Sequence, residues 1–297
     1  MDLDRDFKQL LAIALFEDTN TCGDLTSHVL IPESVQGAAK IVARGDGVLA
    51  GISLVLPILS AVDSNLTWVP ALEDSAELTS GTVVGTIRGH ARGLLMAERT
   101  VLNFLGRLSG IATLTRRYVD AVSGTGSQIY DTRKTTPGWR RLEKYAVRCG
   151  GGQNHRAGLY DAVLIKDNHL ALGQQGGEPF SPAEAVSRAR DFLRRRTELP
   201  TAAHLPMIEI EVDTLDQLRE VLPAQPDIVL LDNMAPAQIT EAVQIRNAVD
   251  PAVLLEASGG ITLSTIRAVA HTGVERISVG ALTHSAASLD LGLDWID

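Results

Sequence analysis

MIEIEVDTLDQLREVLPAQPDIVLLDN, residues 207 to 233, holds two short apolar runs, MIEIEVD and DIVLLDN, around an amphipathic stretch at 214–222. A short apolar run, a helix-length amphipathic segment and a second apolar run make a strand-helix-strand unit. The strands of such a unit lie parallel, joined by a right-handed crossover. The cadence repeats along the chain: SQIYDTRK (127–134), DAVLIKDNH (161–169), VLLEASGG (253–260) and ERISVGA (275–281) read as further strands. Helical stretches at 181–196, 236–248 and 263–271 fall between them, and Gly273 follows the last as a terminator. That makes six strands, not the eight of a closed barrel. Residues 121–297 therefore read as an incomplete, six-stranded α/β barrel.

Residues 1–120 have another rhythm. Phe7, Leu10, Leu11, Ala14 and Leu15 recur at helical spacing and predict an amphipathic opening helix. The alternating runs GAAKIVARGDGVLAG (37–51) and GTVVGTIRGH (81–90), with a helix at 52–62, predict an antiparallel sheet carrying a helix. From 94 to 122 the pattern is helical, and Gly106 and Ser109-Gly110 are expected to divide it into two helices.

Composition narrows the class. At 297 residues and 45% hydrophobic content the chain can bury a full core, built from Ala, Leu, Ile and Val because aromatics are only 4%. Cys22 and Cys149 are the two cysteines, without ligand spacing, which suits a reduced cytoplasmic protein. The opening residues are acidic at both ends and lack the basic leader of a signal peptide. The longest uncharged run, between Asp46 and Asp63, is too short and too rich in Gly, Ser and Pro for a membrane span.

Charge is distributed unevenly. Residues 131–169 carry eight Lys/Arg against four acids in a chain of formal charge -9. A nucleic-acid surface would spread its positive field over a face; a local island suits a small polyanion. In parallel sheets and barrels, ligands sit at the carboxyl ends of the strands. Those ends present Arg133 and Lys134, Lys166, Glu211, Asp232, Ser258-Gly259-Gly260 and Gly280. The two glycine turns, SGG and VGA, each read as following a strand and preceding a helix, where main-chain N–H groups can meet phosphate. Glu211 and Asp232 end neighbouring strands and suit ribose hydroxyls, a magnesium ion or a developing oxocarbenium ion. They also suit plain pairing with the cations. Glu209 shares the side of the strand with Glu211 and competes for that role. Lys166 ends an apolar run and reads either as an anion partner or as a Schiff-base amine. Arg140, Arg141 and Arg148 fall on a connecting helix, where solvated charge is expected. The seven histidines show no metal-ligand spacing in a helical context.

Over nearly its whole length the chain resembles the quinolinate phosphoribosyltransferases, the carboxylating nicotinate-nucleotide pyrophosphorylases. FEDTNTCGDLTS, ERTVLNFLGRLSGIAT, DTRKTTPGWRRLEKYAVRCGGGQNHR, LIKDNH, EIEVD, LLDN, EASGGI and ISVGALTHS occur in the family's order. The resemblance implies an N-terminal α/β sandwich domain (1–120) followed by an incomplete α/β barrel (121–297). The C-terminal segment, about 283–297, is expected to pack back on the first domain. It also implies a pentosyltransferase that joins quinolinate to phosphoribosyl pyrophosphate, with decarboxylation to nicotinate mononucleotide for NAD biosynthesis, in a cytoplasmic homodimer. Carried over by residue, Arg133, Arg156 and Lys166 hold the quinolinate carboxylates, with Thr132, Lys134 and His155 beside them. Arg99 reaches across the dimer interface. Glu211 and Asp232 face the ribose and its Mg2+, and together with Lys134 they form the catalytic set. Ser258, Gly259, Gly260, Val279, Gly280 and Ala281 cradle the 5'-phosphate, assisted by His284. The stretch 170–206 reads as an enlarged peripheral loop and helix. The rivals are a relative with a nicotinate-like acceptor, a barrel lyase using Lys166, and a non-catalytic phosphate sensor.

Overall fold

A computed structural model describes residues 4–175, 178–195 and 206–296. The chain forms two compact units, one of residues 1–117, 134–152 and 280–297, the other of 118–133 and 153–279. A cut of the linear chain near residue 120 does not express this interleaving. Gly176, Gly177 and 196–205, part of the stretch read as a peripheral insertion, lie outside the described residues.

The first unit is built on a four-stranded antiparallel sheet in the order Leu291–Trp295, Gln36–Ala43, Val83–His90, Thr67–Pro70. The C-terminal strand thus pairs with an early one, Ile41 facing Leu293. Helix Ile52–Val62 lies where its apolar run predicts, with Val55, Ile58 and Leu59 fully buried. The opening helix, Asp4–Thr19, buries Phe7 and Leu11, and Phe7 meets Phe104 edge-on.

The expected pair of helices after residue 94 is a single helix, Ala91–Ala121. Its glycines are not breaks. A Cβ on Gly110 would fall inside the carbonyl oxygen of Ala287, and one on Gly106 would come 2.8 Å from that of Leu289. The 287–289 backbone runs directly against this face, and Leu289 N–H donates to Gly106 O at 2.9 Å. Glycine is needed there for close approach, a requirement that looks in sequence like a helix break.

The second unit holds six parallel strands, numbered here in chain order: β1 Gln128–Tyr130, β2 Val163–Ile165, β3 Ile208–Val212, β4 Ile228–Asp232, β5 Leu254–Ser258 and β6 Arg276–Ser278. All six expected strands are present. Their order in the sheet is β1-β6-β5-β4-β3-β2. The order is that of a barrel cut open between β1 and β2, so the second unit is an incomplete α/β barrel. Ile228, Val229, Leu230 and Leu231 are all buried, as a parallel strand covered on both faces requires. Helices Pro182–Arg195, Leu215–Val221, Pro236–Val249 and Ile266–Ala270 make the crossovers, and the last is shorter than its sequence pattern. No helix among the described residues is long and apolar enough to cross a membrane.

Candidate active site

Parallel strands place their carboxyl ends along one edge, and most of the expected site residues lie there. At the end of β2, Lys166 Nζ donates to Glu211 Oε2 on β3. Glu211 is mostly buried and Lys166 half-exposed. Asp232, at the end of β4, accepts from Asn233 Nδ2 at 2.7 Å. Asn233 N–H in turn donates to Ser258 O, 2.9 Å away at the end of β5.

The turn after β5 depends on glycine. Gly259 has φ +94°, and a Cβ there would collide with the Asn233 side chain. Gly260 has φ +60° and open space where its Cβ would point, which leaves main chain accessible. Both glycine turns follow a strand and precede a helix: Gly280 leads directly into the short helix Ala281–His284, whereas after β5 the next helix begins at Ile266.

Beneath this edge lies an ion-pair network the sequence reading did not assemble. His155 Nε2 lies 2.9 Å from Glu209 Oε2 and 3.4 Å from Glu256 Oε1. Arg276 Nε donates to Glu256 Oε2 at 2.7 Å, and its guanidinium stacks 3.7 Å from the Tyr130 ring centre. Asp131, wholly buried, accepts from His155 N–H at 2.8 Å and from Asn154 Nδ2 at 2.7 Å, which fixes the start of the 153–161 loop. Burial alone would lower the His155 pKa, but the hydrogen bonds and charges of Glu209 and Glu256 overcome it and push the ring up to about 9. An opposing influence is the Arg156 main-chain N–H, which donates to Nδ1 at 2.9 Å and needs the lone pair that a second ring proton would take. Burial raises Glu209 above the usual carboxylate range, partly offset by His155. Glu256, equally buried, is held below that range because His155 and Arg276 outweigh the cost of burial.

Glu209 and Glu211 thus have different partners. Glu209 sits 2% exposed under His155, while Glu211 meets Lys166 nearer the strand end. A signal for the network was present: Glu209, Glu256 and Arg276 are charges inside apolar strand runs, and Glu209 and Glu256 each stand two residues before a position expected in the site, Glu211 and Ser258. His155, Glu209 and Glu256 also bring three ligand-type atoms within 4.8 Å of one another, atoms already committed to each other and to Arg276.

Arg156 is the second guanidinium at this edge. Burial and the nearby charge of Arg133 lower its pKa, so the two cations repel each other across a partly buried space. Its Nη1 donates to Ala162 O at 3.3 Å, whereas the buried Nε has no hydrogen-bond partner among the described residues. Asp161 holds the same loop by accepting from Ala157 N–H at 2.7 Å and Gly158 N–H at 3.2 Å. Two converging guanidinium groups suit an acceptor with more than one carboxylate. Thr132, half-buried, directly precedes Arg133 at the end of β1.

Of the remaining expected residues, Arg99, Lys134, Gly280, Ala281 and His284 belong to the first unit and Val279 to the second. The Lys134 side chain and the His284 ring both lie over Gly280, where a Cβ would come 3.1 Å from Lys134 Cδ and 3.2 Å from His284 Nε2. Val279 is buried and its N–H donates to Tyr130 O in the second unit's sheet, while Ala281 is half-buried at the start of its helix. Arg99 is exposed on the long helix and lines a cleft of about 340 Å³ with Asn103, Ser288 and Asp290. The connecting helix, Arg140–Cys149, departs from its expected solvated character. Arg148 is exposed, but Arg141 pairs with Asp6 at 3.1 Å and Arg140 donates to Thr135 Oγ1 at 3.0 Å.

Two family models match the chain: "Quinolinate phosphoribosyl transferase, N-terminal domain" over residues 24–109 and "Quinolinate phosphoribosyl transferase, C-terminal domain" over 111–294. A nicotinate-nucleotide pyrophosphorylase [carboxylating] of Mycobacterium leprae is 45% identical over 283 residues, covering 95% of this chain and 94% of that protein. The crystal structure of NadC from Streptococcus pyogenes superposes with a TM-score of 0.87 at 37% identity, covering 100% of both chains. The nicotinate-nucleotide pyrophosphorylase of Francisella tularensis does so with a TM-score of 0.87 at 36% identity, over 98% of this chain and 96% of that one.

Proposed function

Because this chain belongs to the quinolinate phosphoribosyltransferase family, we propose that it transfers the phosphoribosyl group of phosphoribosyl pyrophosphate to quinolinate. The ring nitrogen bonds to the anomeric carbon as pyrophosphate leaves. The carboxylate beside that nitrogen then departs as carbon dioxide, its bonding pair stays on the ring carbon, and a proton takes that pair to give nicotinate mononucleotide.

One observation carries the reading. Lys166, from the cationic set, is bonded to Glu211, from the acidic set, at one strand edge. A site for this pair of substrates needs cations for the acceptor dianion next to acids for a ribosyl cation, and the bond joins the two. Arg133, Arg156 and Lys166 hold the acceptor carboxylates, with Thr132, Lys134 and His155 beside them. Glu211 and Asp232 stabilise positive charge at the sugar as pyrophosphate departs. Ser258, Gly259 and Gly260, with Val279, Gly280, Ala281 and His284, receive the 5'-phosphate. The oxygen donors of Glu211 and Asp232 suit Mg2+, which when bound with pyrophosphate neutralises its charge. We place the enzyme in the cytoplasm as a homodimer, with Arg99 entering the partner's site; the exposure of Arg99 supports this.

An end-point assay with phosphoribosyl pyrophosphate, Mg2+ and either quinolinate or nicotinate, read by product mass, tests the acceptor. Nicotinate mononucleotide from quinolinate alone is the expected result. Product from nicotinate alone would keep the ribosyl chemistry and overturn the dianion reading.

A further inference from the structure

Within the first unit, the long helix Ala91–Ala121 carries Arg107 and the helix Arg140–Cys149 carries Glu143. Their side chains pair at 2.7 Å, with Glu143 wholly buried. A buried ion pair adds little net stability compared with a well-packed apolar pair, so its presence calls for another account. Further contacts of the pair reach main chain and one side-chain hydroxyl. Glu143 accepts from Thr136 N–H at 3.1 Å and from Thr136 Oγ1 at 2.9 Å. Arg107 donates to Ala286 O at 2.8 Å and also to Thr283 O. Thr283, itself fully buried, closes the circuit by donating its hydroxyl to Lys134 O at 2.7 Å.

Every contact just described falls on one of two segments, 134–136 and 283–286. These flank Lys134 on one side and the Gly280–His284 turn on the other, and both side chains already lie over Gly280. We propose that Arg107, Glu143 and Thr283 are positioning residues that lock the Lys134 loop and the Gly280–His284 turn into one register, so that acceptor and phosphate are bound by a single prealigned piece. This rests on the reading of Lys134, Gly280 and His284 as substrate-binding residues. Neither Arg107 nor Glu143 needs to touch substrate.

The deciding variant is Thr283→Val, which keeps shape and removes only the hydroxyl link; Glu143→Gln accompanies it. Binding of quinolinate and of phosphoribosyl pyrophosphate to the full-length enzyme would be measured by calorimetry, which remains readable if turnover is lost. Misalignment on the order of 1 Å can cost about a hundredfold, and loss of one link should raise both dissociation constants together by about tenfold. In a Lys134→Ala background the Thr283→Val change should add little, because coupled residues are not additive. A rise confined to one ligand, no rise at all, or additive losses would overturn the proposal. If Lys134→Ala itself binds both substrates like the wild type, the assignment of Lys134 to the site fails instead. Thr283→Val neutral beside a crippled Lys134→Ala leaves that assignment standing and removes the positioning role alone.

Discussion

At His155, burial alone would drive the imidazole neutral, yet two carboxylates that are themselves buried hold it cationic up to about pH 9. The consequence for stability has a definite sign. A group whose folded pKa lies above its unfolded one stabilises the fold fully below the unfolded value, and loses that contribution as pH rises through the folded value. Thermal melting of the wild type should therefore fall from about pH 6.5 towards pH 9 more steeply than that of a His155→Gln variant. Parallel curves would mean the ring is neutral throughout, with the Arg156 N–H bond to Nδ1 prevailing. His155 was legible as a candidate because it stands in a cation-rich motif. Its partners were not, because Glu209 and Glu256 lie 47 residues apart in the chain and meet only when β3 and β5 join one sheet.

At the scale of elements, the strands were legible and the long helix was misread. Each strand of the barrel unit is a short apolar run, and burial on both faces makes that pattern direct. The 94–122 stretch contains two glycines whose meaning depends on what packs against them. Intrinsic propensity predicts that Gly110→Ala stabilises the helix by about 1 kcal/mol. The Ala287 carbonyl against this face predicts the opposite, a loss of about 1–3 kcal/mol from overpacking. Gly45→Ala, where nothing lies within 4 Å of the new methyl, should be close to neutral. Denaturant unfolding of the two variants separates the accounts by sign. If Gly110→Ala is the more stable protein, the close approach of 287–289 is not the reason for glycine.

For the molecule as a whole, consecutive residues are divided between the units: Arg133 and Lys134 belong to different units, as do Val279 and Gly280. The proposed partner subunit is the next scale up. Arg99→Ala and Arg133→Ala, each inactive alone, should recover roughly a quarter of wild-type activity when mixed in equal amounts, since about half of exchanged dimers are mixed and each has one intact site. Absence of recovery, with exchange demonstrated by mass, would put Arg99 in its own subunit's site or outside catalysis.

The amino-acid order by itself determined the six parallel strands, the antiparallel sheet and helix of the first unit, and the set of cations, acids and glycines at strand ends. These follow from local periodicity and from the rule that parallel strands gather their carboxyl ends on one edge. Only tertiary structure decided that the long helix is continuous, that Glu209 serves His155 while Glu211 serves Lys166, and that Arg107 and Glu143 address the Lys134 and Thr283 segments. The physical reason is the same in each case. A residue's periodicity reports the face it occupies, whereas its partner depends on which distant segment is brought against that face.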